Sequence, residues 1–301
     1  MAKNLLSIKD LSKDEIVDLI SFARNFINTD GSIKKEELFS DKTIANIFCE
    51  PSTRTKSSFE IAAKNLGCTV VDFDVSSSSI KKGESIYETI DALSLMGVNL
   101  SVLRHPESVI RELAEYIPEM VFINAGEGSI SHPTQTLIDF MTIMDFKDSM
   151  DDLKILIVGD LDHSRVTSSF VEGLEKFPSC ELIFCGHPSL CTHYASHSSG
   201  YFESNLDNAI KDVDVVMSLR IQYERFEDEL QLDLDEYSRA YQITSERLEA
   251  ARGDAIIMHP GPVNYVEISE NAYQSENSVI RKQVNNSVPI RMSVLSRFLS
   301  S

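Results

Sequence analysis

The chain has 301 residues, enough for two domains of ordinary size with a large buried core, and carries a formal net charge of -19. So acidic a chain, with no basic tract, repels nucleic acid and anionic membranes, and neither is expected as a partner. The start Met1-Ala2-Lys3-Asn4 turns polar at once and no apolar run reaches membrane-spanning length, so a soluble, cytoplasmic protein is expected.

A small anion is still compatible with this charge, because converging arginines inside a cleft outweigh a screened acidic exterior. The five cysteines (Cys49, Cys68, Cys180, Cys185, Cys191) are odd in number and scattered, which suits reduced thiols better than a disulfide framework. Cys185, His187, Cys191 and His193 cluster in sequence, but their spacing matches no common zinc pattern, and Cys185 closes an apolar run with the look of a buried strand. No metal is expected.

In chain order, residues 8–28 read as an opening helix, with Ser12 and Glu15 spaced as a capping box and Ile16, Leu19, Ile20, Ala23 and Ile27 on one face. An apolar, β-prone run at 44–48 feeds Pro51 and then Ser52, Thr53, Arg54 and Thr55. A helix follows, whose Phe59, Ala62, Ala63 and Leu66 repeat at helical spacing and which stops at Gly67. Strand, polar turn and helix in this order admit two readings. The hydroxyls are a plain helix cap, or the turn binds an anion on unclaimed first-turn N–H groups beside a guanidinium.

A second strand is expected at 69–74, then a mobile polar loop running from Ser76, Ser77, Ser78 and Ser79 to Lys82 and Gly83. Such a loop is either a solvated turn or a flap that closes over an anion. Helix resumes with Ile86, Ile90 and Leu93. The strand at 100–103 delivers Arg104, the helix at 108–116 follows, and the strand at 120–123 leads toward Ser131, His132, Pro133, Thr134 and Gln135. From Pro133 a long amphipathic helix to about Phe146 is read as the crossing into a second domain. There, strands at 153–158, 180–185, 213–219 and 255–258 end respectively at Gly159, at His187, at Arg220-Ile221-Gln222 and at His259-Pro260-Gly261-Pro262. No dinucleotide fingerprint follows Gly159 and no P-loop occurs. A last helix is expected from about Val288 to Leu299. The alternation of strand and helix implies α/β architecture with mainly parallel sheets, whose ligands gather at the carboxyl ends of the strands.

Read together and in this order, Ser52-Thr53-Arg54-Thr55, His132-Pro133-Thr134-Gln135, Arg220-Ile221-Gln222 and His259-Pro260-Gly261-Pro262 resemble the aspartate/ornithine carbamoyltransferase family over nearly the whole chain. The resemblance implies two doubly wound, mainly parallel-sheet domains with the active site in the cleft between them. These are a carbamoyl-phosphate-binding domain of residues 1–134 plus 287–301 and an aspartate-binding domain of 135–286. The implied reaction moves the carbamoyl group of carbamoyl phosphate to the α-amino group of L-aspartate, giving N-carbamoyl-L-aspartate and phosphate, an early step of pyrimidine synthesis.

Carried over residue by residue, the resemblance implies that Ser52, Thr53, Arg54 and Thr55 hold the phosphate and that Arg104 reaches a phosphate and carbonyl oxygen. His132 and Gln135 address the carbamoyl group, whose amide donates to the carbonyls of Pro260 and Gly261. Arg165, Arg220 and Gln222 match the positions that hold the aspartate carboxylates. Ser78 and Lys82 match a loop that enters a neighbouring subunit's site, so a homotrimer with shared sites is implied, with a separate regulatory chain as an optional further partner. Glu50 and Arg225 match positions of interdomain ion pairs. Such chemistry needs several cations, preferably guanidinium forks, and neither redox chemistry nor a Lewis acid, so no cofactor is expected. Tyr265 departs from relatives that carry an arginine and one further residue there. Two rival readings stay open: another acceptor such as ornithine, disfavoured by the absence of Ser-Met-Gly and of cysteine after His259, and a non-catalytic binding paralogue, disfavoured by the full set of cationic ligands.

Overall fold

The computed structural model describes residues 3–73, 75, 78–225 and 232–300. Ser76 and Ser77 of the four-serine run, and Asp74 at the end of the expected second strand, lie outside the described residues. The chain divides into two compact units, Met1–Ile138 with Asn285–Ser301, and Asp139–Val284.

In the first unit, α1 (Lys13–Arg24) opens with the expected capping box. Glu15 N donates to Ser12 Oγ at 3.2 Å while Ser12 N donates to Glu15 Oε2 at 2.9 Å. The expected single helix from residue 8 is instead two pieces, because Ile8–Asp10 forms a separate 3₁₀ turn with its own cap and Leu11 is extended. Among the described residues the sheet holds β1 (Thr43–Phe48), β2 (Thr69–Phe73), β3 (Leu100–His105) and β4 (Val121–Glu127), all parallel, in the order β2-β1-β3-β4. The helices α2 (Thr53–Asn65), α3 (Ile86–Leu95) and α4 (Ile110–Tyr116) connect them. Ala45, Ile47, Ile90, Leu103, Leu113 and Phe122 form much of the buried core, which accounts for the near-continuous apolar runs in the strands. Gly67 ends α2 at φ 83, a left-handed conformation that glycine adopts without strain. From β1 the chain leaves for β2 on one side and then returns to β3 on the other. A crevice therefore opens at the carboxyl ends of β1 and β3.

The helix α5 (Pro133–Lys147) carries the chain into the second unit. Its sheet comprises, among the described residues, β5 (Lys154–Val158), β6 (Glu181–Cys185), β7 (Tyr201–Phe202), β8 (Val215–Ser218) and β9 (Ile256–Met258). All are parallel, in the order β7-β6-β5-β8-β9. The reversal here falls between β5 and β8. Helices α6 (Arg165–Leu174), α7 (Leu206–Ala209), α8 (Leu234–Tyr241), α9 (Ser245–Leu248) and α10 (Glu270–Gln274) complete the unit. At Gly159, just past β5, an added Cβ would stand 2.3 Å from the carbonyl oxygen of Leu219, so only glycine lets the ends of β5 and β8 come this close.

The chain returns to the first unit along α11 (Ile280–Leu299). This helix begins well before the expected start near Val288 and runs through Pro289. Proline's φ suits a helix interior when the lost N–H bond is tolerated. Residues of α11 tie into the first unit: Arg291 Nη1 donates to Ser58 Oγ at 2.6 Å, Ser293 Oγ donates to the Leu19 carbonyl at 2.7 Å, and Arg297 pairs with Glu15. Among the described residues no helix is long and apolar enough to cross a membrane.

Candidate active site

The first group of expected residues gathers at the switch point of the first unit. Ser52 stands at the N-cap of α2 in extended conformation, yet among the described residues its side chain makes no capping hydrogen bond. Instead Arg104, at the end of β3, donates from Nη1 to Ser52 Oγ at 3.4 Å and from Nε to Glu50 Oε2 at 3.2 Å. Cys49 N donates to the Arg104 carbonyl at 2.9 Å, which fixes the two strand ends together. Ser52 thus makes no side-chain cap at the start of α2 among the described residues, and a guanidinium lies beside it. Thr55 is buried, whereas Thr53 and Arg54 are exposed.

His132 is buried directly before α5, where its carbonyl accepts from Gln135 N at 3.0 Å, and Gln135 is half-buried one turn along. Ser78 and Lys82 lie apart from this cluster in sequence. Ser78 Oγ donates to the Val75 carbonyl at 2.8 Å, and Lys82 closes a 3₁₀ turn, Ser79–Lys82, where it is exposed.

The second group gathers at the switch point of the second unit. Arg165 is the first residue of α6 and only 5% exposed, behind the N-cap Ser164, whose hydroxyl accepts from Thr167 N at 3.2 Å. Arg220 leaves β8 and is held by Glu224 in a forked pair. Its Nη1 donates to Glu224 Oε2 at 3.0 Å and its Nη2 to Oε1. That hydrogen bonding holds the Arg220 guanidinium charged and pulls the Glu224 carboxyl below its ordinary range. Gln222 is fixed at both ends: its backbone N donates to Asp160 Oδ2 at 3.0 Å and its Nε2 to the His163 carbonyl at 2.7 Å. Asp160 is fully buried and its other oxygen meets His163 Nδ1 at 2.7 Å.

Pro260 and Gly261 follow β9 in a loop built on His259. Gly261 N donates to His259 Nδ1 at 2.8 Å, and His259 Nε2 lies 2.8 Å from Glu267 Oε1. Gly261 has φ 72, so glycine suits its place.

Sequence reading missed Glu224, Asp160, His163 and Glu267, the residues that hold Arg220, Gln222 and the 259–261 loop. Arg220 and Glu224 are four residues apart, Asp160 and His163 three, and His259 and Glu267 eight, whereas Gln222 is joined to Asp160 and His163 by the return of separate strands to one edge. Glu50 and Arg225, which the resemblance assigns to interdomain pairs, have partners inside their own units: Glu50 accepts from Arg104, and Arg225 Nη1 donates to the His163 carbonyl at 2.6 Å. Among the described residues no three His, Cys, Asp or Glu side chains gather as a metal-ligand group. Burial pushes the Cys185 thiol up to about 12 and raises that of Cys191 further.

Comparison with known proteins covers both units. The family model for the aspartate/ornithine carbamoyltransferase carbamoyl-P binding domain matches residues 3–145, and that for the Asp/Orn binding domain matches 151–298. The aspartate carbamoyltransferase catalytic subunit of Carboxydothermus hydrogenoformans is 42% identical over 298 residues, covering 97% of this chain and 95% of its own. Among solved structures, the catalytic subunit of M. jannaschii aspartate transcarbamoylase superposes with a TM-score of 0.87 at 36% identity, covering 99% of this chain and 98% of the other. Aspartate transcarbamoylase from Trypanosoma cruzi, solved with carbamoyl phosphate and aspartate, gives 0.87 at 28% identity, covering 97% and 95%. With both halves matched by its domain models, and with relatives at this identity along nearly its full length, the chain belongs to the aspartate/ornithine carbamoyltransferase family.

Proposed function

We propose that the chain transfers the carbamoyl group of carbamoyl phosphate to the α-amino nitrogen of L-aspartate, releasing phosphate. The observation that carries this reading is the pairing of Arg104 Nη1 with Ser52 Oγ at 3.4 Å, which turns the uncapped start of α2 into a phosphate cradle. Ser52, Thr53, Arg54 and Thr55 take the phosphate, and Arg104 spans to the carbonyl oxygen. His132 and Gln135 address the carbamoyl carbonyl and amide, and the carbonyls of Pro260 and Gly261 accept from that amide. Arg165, Arg220 and Gln222 take the carboxylates of aspartate.

In the reaction the amine nitrogen attacks the carbonyl carbon, a C–N bond forms and the C–O bond to phosphate breaks. The proton lost by the amine leaves with the departing phosphate, so no separate strong base is needed. Donors at Thr55, Arg104 and His132 stabilise the developing oxyanion, each by about 3 kcal/mol. Holding both substrates together removes their orientational freedom and lowers the barrier further. Relatives solved with carbamoyl phosphate and aspartate support the choice of substrates. The match of Ser78 and Lys82 to a family loop that enters a neighbouring subunit's site supports a homotrimer with shared sites as the working unit.

The test is phosphate release from carbamoyl phosphate by the purified chain, with L-aspartate or L-ornithine as acceptor. Turnover is expected with aspartate alone. Equal turnover with ornithine, or none with either, overturns the reading.

A further inference from the structure

His259 has a buried side chain with a fixed pattern of neighbours. Gly261 N can only donate, and it donates to His259 Nδ1 at 2.8 Å, so Nδ1 must present its lone pair. A neutral imidazole then carries its proton on Nε2. That proton has an acceptor, because Glu267 Oε1 lies 2.8 Å away and both side chains are essentially excluded from solvent, at 0% and 1% exposure. Glu267 is anchored in turn: Ser218 Oγ donates to its carbonyl at 3.2 Å, and Asn264 N donates to Oε1 at 3.4 Å. The backbone of His259 is pinned from the other side, where its N donates to Gln283 Oε1 at 3.0 Å and Gln283 Nε2 donates to Asp139 Oδ1 at 2.6 Å.

In a trans peptide the N–H and C=O point in opposite directions. Capture of the Gly261 N–H by the imidazole therefore aims the Pro260 carbonyl away from the buried ring. We propose that Glu267 and His259 are a positioning pair for carbamoyl transfer: Glu267 fixes the Nε2–H tautomer, and His259 Nδ1 orients the 260–261 peptide so that the Pro260 carbonyl is presented to the carbamoyl amide. The proposal rests on the function given above, in which that carbonyl is the acceptor. Neither residue touches substrate; both act through the peptide.

Two substitutions separate the two ring nitrogens. In His259→Asn the amide oxygen stands where Nδ1 stands and still accepts from Gly261 N. In His259→Gln the amide lies at the place of Nε2 and the Gly261 N–H loses its acceptor. His259→Gln is expected to lower kcat about 10- to 100-fold with the KM for aspartate little changed, and His259→Asn is expected to restore most of that loss. Thermal unfolding of both variants serves as the control for folding. Nitrogen-15 NMR of the imidazoles in the unmodified chain is expected to show His259 with a bare Nδ1 and a protonated Nε2. A proton on Nδ1, or folded Asn and Gln variants of equal activity, overturns the proposal. Should the unmodified chain release no phosphate with aspartate, the parent reading fails by itself, and the NMR arm still decides the tautomer.

Discussion

At the scale of single residues, Arg54 and Arg104 of the first unit differ in what they support. Arg104 is only 15% exposed and joins β3 to the phosphate turn through Ser52 and Glu50, so its removal disturbs the fold and the site together. Arg54 is exposed on the first turn of α2, where a change of side chain leaves the core intact. Arg54→Ala is therefore expected to lower kcat about 100- to 1,000-fold, while urea unfolding moves by no more than about 0.5 kcal/mol. A variant that keeps near-normal turnover would remove Arg54 from the site. Of the proposed ligands, Ser52–Thr55, Arg104, Arg220 and Gln222 were legible in sequence because they follow apolar runs, at whose carboxyl ends parallel sheets place their ligands. The residues that hold them were not. Asp160 and Gln222 are brought together by strand order, and His259 and Glu267 meet across a loop, eight residues apart and outside the periodicity of any helix or strand.

At the scale of elements, α11 does more than cover the sheet. Its Arg291 is 2% exposed, donates to Ser58 Oγ at 2.6 Å and lies over the Phe59 ring at 4.7 Å, so it backs the helix that begins at the phosphate turn. Ser58 Oγ donates in turn to the Thr55 carbonyl at 3.1 Å. Arg291→Met keeps the apolar length and removes the charged donor, and is expected to cost about 2 to 3 kcal/mol in urea unfolding. A loss under half a kcal/mol would show that the hydrogen bond contributes little. The α/β alternation was readable from periodicity, since buried parallel strands are apolar throughout and the helices repeat at helical spacing. The helices of the second unit were not read, the strand β7 is two residues long at a sheet edge and too short to carry a pattern, and α11 starts at Ile280, ahead of the expected Val288.

At the scale of the whole molecule, the proposed trimer makes a prediction that no single chain can satisfy. If Lys82 serves a neighbour's site, an inactive Lys82→Ala chain mixed with an inactive Arg54→Ala chain should regain part of the activity, because some mixed sites draw both residues intact. No recovery in verified mixed trimers would mean that each chain uses its own Lys82.

The division of the chain has a further consequence for how the molecule is made. The first unit is discontinuous: Asp139–Val284 is inserted between its two parts. During translation α1 and α2 emerge early, but Arg291, Ser293 and Arg297, which brace Ser58, Leu19 and Glu15, follow only after the whole inserted unit. The second unit has all of its strands while the first still lacks a helix. On the ribosome the later-encoded body is thus positioned to fold first, and the phosphate cradle gains its backing last.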